Sequence, residues 1–212
     1  MDFGIRRFFA TAGLAVALVT LPGQAIAGPP LLCHPFDTDG AKSLPWGGDG
    51  WNSPVSTYPL DRLVTDTLAL LSPEMPVVTR METIRRAAIY ASRDVRVAAD
   101  LLSALSRRAL ERNSPKPDRH AWFDFGYLVE TYKQADFLFK TGNPAAGIDG
   151  YRHITKAITM GSGVEPEMEF AAALVTERRQ RDVANAHYRR AAAGATADSI
   201  LARNLSARFP GR

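Results

Sequence analysis

Cys33 and His34 form the pair of neighbouring residues best suited to chemistry in this chain. A thiolate and an imidazole are both metal ligands, and together they can act as nucleophile and general base. The sequence contains no CxxC, CxxCH or HExxH motif that would complete such a site. Adjacent residues of an extended segment also point to opposite sides. Three alternatives stay open for the thiol: an inert group, an intermolecular disulfide, and a ligand or nucleophile.

Trp46 and Trp51 enclose the glycine-rich stretch 47–50. Glycine allows a backbone to approach a ligand closely, so the two indoles could form a mobile clamp over a groove. The alternative is that both indoles pack on the body of the protein.

Three carboxylates, Asp124, Glu130 and Asp136, lie among the aromatic residues of the segment 118–141. Carboxylates beside buried rings must face solvent, a partner or a polar cleft. We predict that they mark the one solvent-exposed edge of an otherwise buried helix. A proton-transfer role would require two of these carboxyl groups to converge.

The segment 118–141 is the element expected to organise the core. It holds 7 of the 16 aromatic residues outside residues 1–27, and it is apolar on nearly every face. A helix of that kind is normally surrounded by other helices. Asp118 is a suitable N-cap, and Gly142 and Pro144 prevent continuation beyond residue 141. We therefore predict one long aromatic helix over 118–141.

The remaining patterns predict a single helical domain, residues 57–212, behind an irregular arm. Residues 28–56 are rich in glycine and proline yet contain large apolar residues, which predicts an extended arm packed on the helices. Helical periodicity predicts the first helices within 57–112, one of them opened by a capping box at Thr79. Similar patterns fill 147–209. No stretch alternates with period two for long enough to predict a strand, so the predicted fold class is all-α.

The first 27 residues have the pattern of an export signal. Arg6 and Arg7 precede an apolar run over 8–21, and Ala25 and Ala27 form a small-x-small cleavage site. We expect cleavage after Ala27 and a periplasmic or secreted protein. The paired arginines also resemble part of a twin-arginine signal, so this route and the general secretory route both stay open. The run is shorter than the roughly 20 residues of a membrane span, and no transmembrane span is expected.

Charge and cysteine content narrow the choice of partners. The formal net charge is +4, and the 26 basic residues are interleaved with 22 acidic ones. No basic stripe results, which argues against nucleic acid as a partner. Cys33 is the single cysteine, so no intramolecular disulfide can form, while a Cys33-linked dimer stays open.

The C-terminal third contains a repeat with a shift of 34 residues. The corresponding pairs include Gly150 with Ala184, His153 with His187, and Ala157 with Ala191. Small residues therefore recur where helices would touch. Because the two histidines occupy equivalent positions, we expect both to have a structural role at the surface.

At this repeat the chain resembles the tetratricopeptide and Sel1-like class of helical repeats, over about residues 122–209. The residues that approximate the family pattern W-x2-L-G-x2-Y are Trp122, Phe125, Gly126 and Val129. The stretch 160–164 is similar to the glycine-rich turn before a Sel1-like helix. This resemblance implies a curved stack of antiparallel helix pairs that binds proteins or peptides. An irregular helical bundle is the alternative architecture.

Three functions remain after the sequence has been read, and the third is a structural protein that oligomerises through Cys33. The first is an exported scaffold without catalysis that binds a protein or peptide between the aromatic helix and the C-terminal helix pairs. The second is an envelope enzyme, or a metal or cofactor carrier, that uses the arm around Cys33 and His34. The sequence contains no catalytic constellation, so we favour the first and predict no catalytic, metal-binding or cofactor-binding residue. The candidate partner-binding residues are Cys33, His34, Trp46, Trp51, Tyr127, Glu130 and Tyr132.

Overall fold

The computed structural model describes residues 28–111 and 118–210, together with Met1. Apart from Met1, the export signal predicted over 1–27 lies outside the described residues. The described part of the chain forms eight α-helices and two short 3-10 helices, without a strand, so the all-α prediction is confirmed.

The helices follow one another along the chain with short connections. They are α1 (Leu63–Leu70), α2 (Val77–Ala91), α3 (Val95–Leu110), α4 (Arg119–Gln134), α5 (Gly150–Thr159), α6 (Pro166–Thr176), α7 (Arg181–Gly194) and α8 (Ile200–Arg208). The 3-10 helices are Leu60–Arg62 and Asp136–Leu138. None of the helices within 28–111 and 118–210 combines the length and the apolar character needed to cross a bilayer.

The most deeply buried helix is α2. Of its 15 residues, 14 are buried, and only Arg86 is partly exposed. It packs against α1, α3, α4 and α6. The core is therefore shared between α2 and the aromatic helix α4, and the surrounded position of α2 requires its charged side chains to be paired inside the protein.

The start of α2 differs from the predicted capping box. The helix begins at Val77, and the Thr79 hydroxyl is buried without a hydrogen-bond partner among the described residues. Glu167 of α6 supplies a cap instead, since its Oε2 accepts a hydrogen bond from the Val78 N–H (3.3 Å). A local capping pattern was thus overridden by a side chain from another helix.

The prediction of one helix over 118–141 is wrong in its last turns. Asp118 caps α4 as predicted, by accepting from the N–H groups of His120 and Ala121. The helix ends at Gln134, and the Asn143 side chain donates to the Tyr132 carbonyl (2.7 Å), which satisfies one acceptor of the last turn. The chain then turns back so that Phe139 packs edge-on against Tyr132. This turn partly buries Phe139, whereas Phe137 stays exposed.

The N-terminal segment, residues 28–59, packs against α2 and α8 without forming a helix. Leu31, Leu32 and Leu44 are buried. A segment without regular structure leaves carbonyl groups unpaired, and arginines supply the missing donors. The bonds run from Arg85 to the carbonyls of Leu32 and Trp51, from Arg86 to that of Leu44, and from Arg208 to those of Pro30 and His34.

Two antiparallel helix pairs, α4 with α5 and α6 with α7, form the C-terminal half. In the first pair the backbones nearly touch, since a Cβ on Gly126 would lie 2.6 Å from the Gly150 carbonyl oxygen. In the second pair a Cβ on Gly194 would collide with Pro166. Glycine at these two positions lets the helices of each pair approach closely.

Candidate functional site

Cys33 and His34 lie in the N-terminal segment, close to α2 and α8. Cys33 is half-buried, and burial raises the pKa of its thiol. The carbonyl of His34 accepts a hydrogen bond from Arg208, so this part of the segment is held in place. No group of three or more His, Cys, Asp or Glu side chains in the described ranges is placed to hold a metal ion.

Trp46 and Trp51 lie on opposite sides of a tight turn. The Trp46 indole N–H donates to the Gly50 carbonyl (2.9 Å), its ring packs edge-on against Tyr90, and the Arg85 guanidinium lies 4.9 Å from the ring centroid. Trp51 packs at a tilt against Phe137, which is 61% exposed. Both indoles pack against a small apolar cluster formed by Leu32, Ile89 and Ala135.

Tyr127 and Tyr132 are fully buried, so neither side chain reaches a surface where a partner could bind. The Tyr132 hydroxyl donates to the Ala98 carbonyl (3.2 Å), whereas the Tyr127 hydroxyl has no hydrogen-bond partner among the described residues. Burial raises the pKa of both phenols. Both residues belong to the core.

The predicted solvent-exposed edge of the aromatic helix is wrong for Asp124 and Glu130, and Asp136 is exposed but lies beyond the end of α4. Asp124 is fully buried, and its Oδ2 lies 2.7 Å from Arg80 Nη1. Glu130 is also buried, beside the start of α5. Both carboxylates face partners inside the protein, because the helices packed on α4 cover the face that the sequence pattern predicts to be exposed to solvent.

A cleft of about 400 Å³ opens where the two antiparallel pairs meet. Clefts of this size suit small ligands or short peptide stretches. Its walls come from the end of α4, the start of α5, the end of α6 and the turn into α7. The lining residues are Glu130, Lys133, Ala146, Gly147, Ile148, Asp149, Tyr151, Val175, Thr176, Arg179 and Gln180. Glu130 is the one residue of the predicted partner-binding set that lines it.

Glu130 positions the floor of this cleft. Its Oε1 accepts hydrogen bonds from the N–H groups of Gly150 (2.9 Å) and Tyr151 (3.2 Å) and from Lys133 Nζ (2.8 Å). Asp149 caps the same helix, accepting from the Arg152 N–H (3.0 Å). The first N–H groups of a helix carry partial positive charge, so both carboxylates stabilise α5. The start of α5 is therefore fixed against α4.

A relay of phenol, imidazole and carboxylate adjoins the cleft. Tyr151 Oη lies 2.7 Å from His187 Nε2, and His187 Nδ1 lies 2.5 Å from Glu169 Oε2. Arg190 Nε lies 2.8 Å from the other oxygen of Glu169. Arg190 also approaches His187 Nδ1, but a guanidinium can only donate. Glu169 favours a proton on Nδ1 and Arg190 favours an acceptor there, so the two contacts favour opposite tautomers of His187.

The relay connects three successive helices, with Tyr151 on α5, Glu169 on α6 and His187 on α7. Its order matches the nucleophile, base and orienting group of covalent catalysis. Burial, however, raises the pKa of Tyr151, so the phenol stays protonated at neutral pH. In this state the relay holds the edge of the cleft in place by hydrogen bonds between α5, α6 and α7.

The two repeat histidines occupy different environments. His187 is buried in the relay, so the predicted surface role is wrong for it. His153 is half-buried against Phe125 and Trp122, with ring centroids 4.7 and 5.4 Å away, and burial lowers its pKa. Sequence equivalence at a shift of 34 residues therefore does not give these side chains the same partners.

Tyr151, Glu169 and Arg179 were not among the residues singled out from the sequence, although one signal was present. Tyr151, Glu169 and His187 are each 18 positions apart. That spacing is close to half of the 34-residue shift, so it places the three residues at one level on successive helices of an antiparallel stack. A search at half of the shift, 17 residues, would still have missed the relay, so the packing of α5, α6 and α7 is needed to identify it.

Comparison of the chain with protein-family models, curated proteins and solved structures found no match in any of the three. The case for function therefore depends on the geometry of this molecule.

Proposed function

We propose that this chain is an exported, non-catalytic helical scaffold of the tetratricopeptide-like type that binds an extended peptide segment of a protein partner. The observation that carries the proposal is the cleft between the α4–α5 and α6–α7 pairs, with its mixed polar and apolar lining. Stacked helix pairs use such junctions as binding surfaces. The export signal is part of this proposal, since it places the partner in the envelope or outside the cell.

The rigidity of the cleft supports this reading. Glu130 fixes the start of α5 on α4, and the relay from Tyr151 through His187 to Glu169 fixes α5 on the second helix pair. A site held in its binding geometry before the ligand arrives loses less conformational entropy on binding. Both walls of the cleft therefore have their binding geometry before a ligand arrives.

Site-specific crosslinking tests the proposal. A photoreactive amino acid replaces Gln180, at the cleft, or Asp100, an exposed residue of α3 outside it. We expect a defined adduct from position 180 in cells that produce the full chain, and hydrogen exchange should show slower exchange in 146–151 and 175–180 once the identified partner peptide is added. Adducts of equal yield from both positions, or protection elsewhere in the molecule, would reject the cleft as the binding site.

The relay favours a second candidate, a hydrolase that uses Tyr151. In this reaction His187 Nε2 would take the phenol proton as Tyr151 Oη bonds to the acyl carbon of an ester, and it would return that proton to the alkoxide, which leaves as the alcohol. Water would then attack the acyl-tyrosine, releasing the acid and restoring the phenol. The test is incubation with 4-nitrophenyl acetate and mass analysis for an acetylated Tyr151. A rate unchanged by Tyr151→Phe and His187→Gln, or no acetyl group on Tyr151, would remove this candidate.

A further inference from the structure

We infer that the occupant of the cleft is an acidic peptide segment, whose carboxylate binds Arg179 and Lys133 while a neighbouring small apolar side chain contacts Ile148 and Val175. This inference rests on the proposed function and adds the chemistry of the ligand. It follows from which hydrogen-bonding groups of the cleft are already used and which remain for a ligand.

The acceptors of the cleft are largely occupied. Glu130 Oε1 already accepts three hydrogen bonds, from two backbone N–H groups and from Lys133. Asp149 uses Oδ1 to cap α5. The Tyr151 hydroxyl is engaged with His187. A cationic ligand would therefore compete with Lys133 and the first N–H groups of α5 for Glu130 Oε1, and only the second oxygen of each carboxylate is left to it.

The donors of the cleft are largely unused. Arg179 is exposed, and its side chain takes part in no ion pair or hydrogen bond found within residues 28–111 and 118–210. Lys133 uses one of its three ammonium hydrogens, toward Glu130. Gln180 is exposed as well. A guanidinium with five N–H groups and a nearby ammonium match a carboxylate, which can accept from both.

Hydrogen bonding determines which ligand the cleft selects, because the net electrostatic field of the cleft is weak. The charges of Glu130, Lys133, Asp149 and Arg179 cancel formally. Two helices end at the cleft and two begin there, so their partial charges oppose each other. The unused hydrogen-bond donors of the cleft, and not its net charge, therefore favour an anionic group on the ligand.

A peptide fits better than an isolated anion. Ile148 and Val175 form an apolar part of the lining next to the donors, and the free oxygen of Asp149 suits a backbone N–H. An extended peptide supplies an acidic side chain, an apolar side chain and a backbone N–H within a few residues. Neither a small dicarboxylate nor a phosphate backbone supplies all three.

Fluorescence anisotropy with the purified full chain tests this inference. The probes are three labelled short peptides that place Glu, Ser or Lys between valines, with glutarate, single-stranded DNA and phosphatidylglycerol vesicles as further ligands. We expect the Glu peptide to bind about tenfold more tightly than the Ser peptide, which corresponds to about 1.4 kcal/mol. Added salt should weaken its binding.

Variants identify the residues responsible. Arg179→Ala should weaken binding of the Glu peptide about tenfold, the loss of one charge-assisted contact. Arg96→Ala, which removes an exposed arginine from α3, should leave binding unchanged. Circular dichroism should show that each variant keeps the wild-type helix content, because both changes are at exposed side chains.

The outcomes separate the two claims. If the Ser and Glu peptides bind equally and Arg179→Ala has no effect, the acidic inference is wrong while peptide binding stands. Glutarate, DNA or vesicles that bind as tightly as the Glu peptide, with the same dependence on Arg179, would also overturn the inference. If no peptide binds and position 180 gives no adduct, the proposed function fails together with the inference.

Discussion

Glu82 on α2 and Asp124 on α4 are both fully buried and both paired with arginines of α2, yet their protonation differs. Burial raises the pKa of Glu82, but Arg85 and Arg86 and the Phe36 N–H outweigh it, so the pKa lies below its ordinary value. For Asp124 burial prevails over Arg80 and raises the pKa from 3.8 to about 7.

The number of donors explains the difference. Glu82 accepts four hydrogen bonds of 2.7–3.0 Å, two from Arg85, one from Arg86 and one from the Phe36 N–H. Asp124 accepts one from Arg80, and its Oδ1 has no partner among the described residues. A buried carboxylate stays ionised when donors replace its water shell, and one donor is not enough.

The largest expected effect in this comparison is the loss of Glu82. Glu82→Ala leaves Arg85 buried without its carboxylate and frees the Phe36 N–H, so the free energy of unfolding should fall by about 3–5 kcal/mol. Urea denaturation followed by circular dichroism measures the change.

Asp94→Ala provides the control for Glu82. Asp94 is a carboxylate that caps α3 and pairs with the exposed Arg96, and its loss should lower the free energy of unfolding much less than the loss of Glu82. Equal costs for the two variants would show that the Glu82 network adds nothing beyond an ordinary surface contact. Glu82→Gln, which keeps the shape and two polar atoms, should have an intermediate cost.

Asp124 should give the next largest effect, as a dependence of stability on pH. Its folded pKa exceeds its unfolded value of 3.8, so the folded state binds more protons between these two values. The contribution of Asp124 is therefore fully present below about pH 4 and is lost as pH rises to about 7. The loss amounts to about 4 kcal/mol at 1.36 kcal/mol per unit.

The Asp124 prediction is checked by denaturation of wild type and Asp124→Asn at several pH values. The free energy of unfolding of the variant should lack this part of the pH dependence between pH 4 and 7. Carbon NMR of the Asp124 carboxyl group in the wild type gives the pKa directly. A titration midpoint near 4 would contradict the prediction, because it would mean that Arg80 alone compensates for burial. Glu82 should act in the opposite sense, since its stabilisation is present above its unfolded pKa and lost as pH falls through its folded pKa.

The smallest expected effect is a difference in the free energy of unfolding between variants of two buried phenols. The Tyr132 hydroxyl donates to the Ala98 carbonyl, while the Tyr127 hydroxyl has no partner within the described ranges. Tyr132→Phe should therefore lower the free energy of unfolding by about 1 kcal/mol, whereas Tyr127→Phe should leave it unchanged or raise it slightly. Thermal denaturation of both variants is the measurement, and equal losses would indicate that Tyr127 has a partner such as a buried water.

The helices could largely be predicted from local signals. Asp94 and Asp118 cap α3 and α4 because a short acidic side chain before a helical pattern binds the first N–H groups. The same local logic failed at Thr79, where Glu167 from α6 provides the cap. Local signals hold where the helix end is exposed and fail where another element reaches it.

The candidate site was only partly accessible to sequence reasoning. Glu130 was selected because a carboxylate among aromatic residues needs a partner, and it does line the cleft. Arg179 resembled any other exposed charge, since its lack of a partner is a property of the surrounding helices. Tyr151 and Glu169 gained their roles only when α5, α6 and α7 placed them on either side of His187.

The sequence by itself determined the all-α class and most helix positions, because caps, glycines, prolines and apolar periodicity act over a few residues. The tertiary structure alone decided which charges are buried. Arg80, Glu82 and Arg85 are charged residues that local signals assign to solvent, yet the N-terminal segment and α4 cover them. The physical reason is that a buried charge is tolerated only where distant donors and acceptors meet it, and those partners are brought together by the fold.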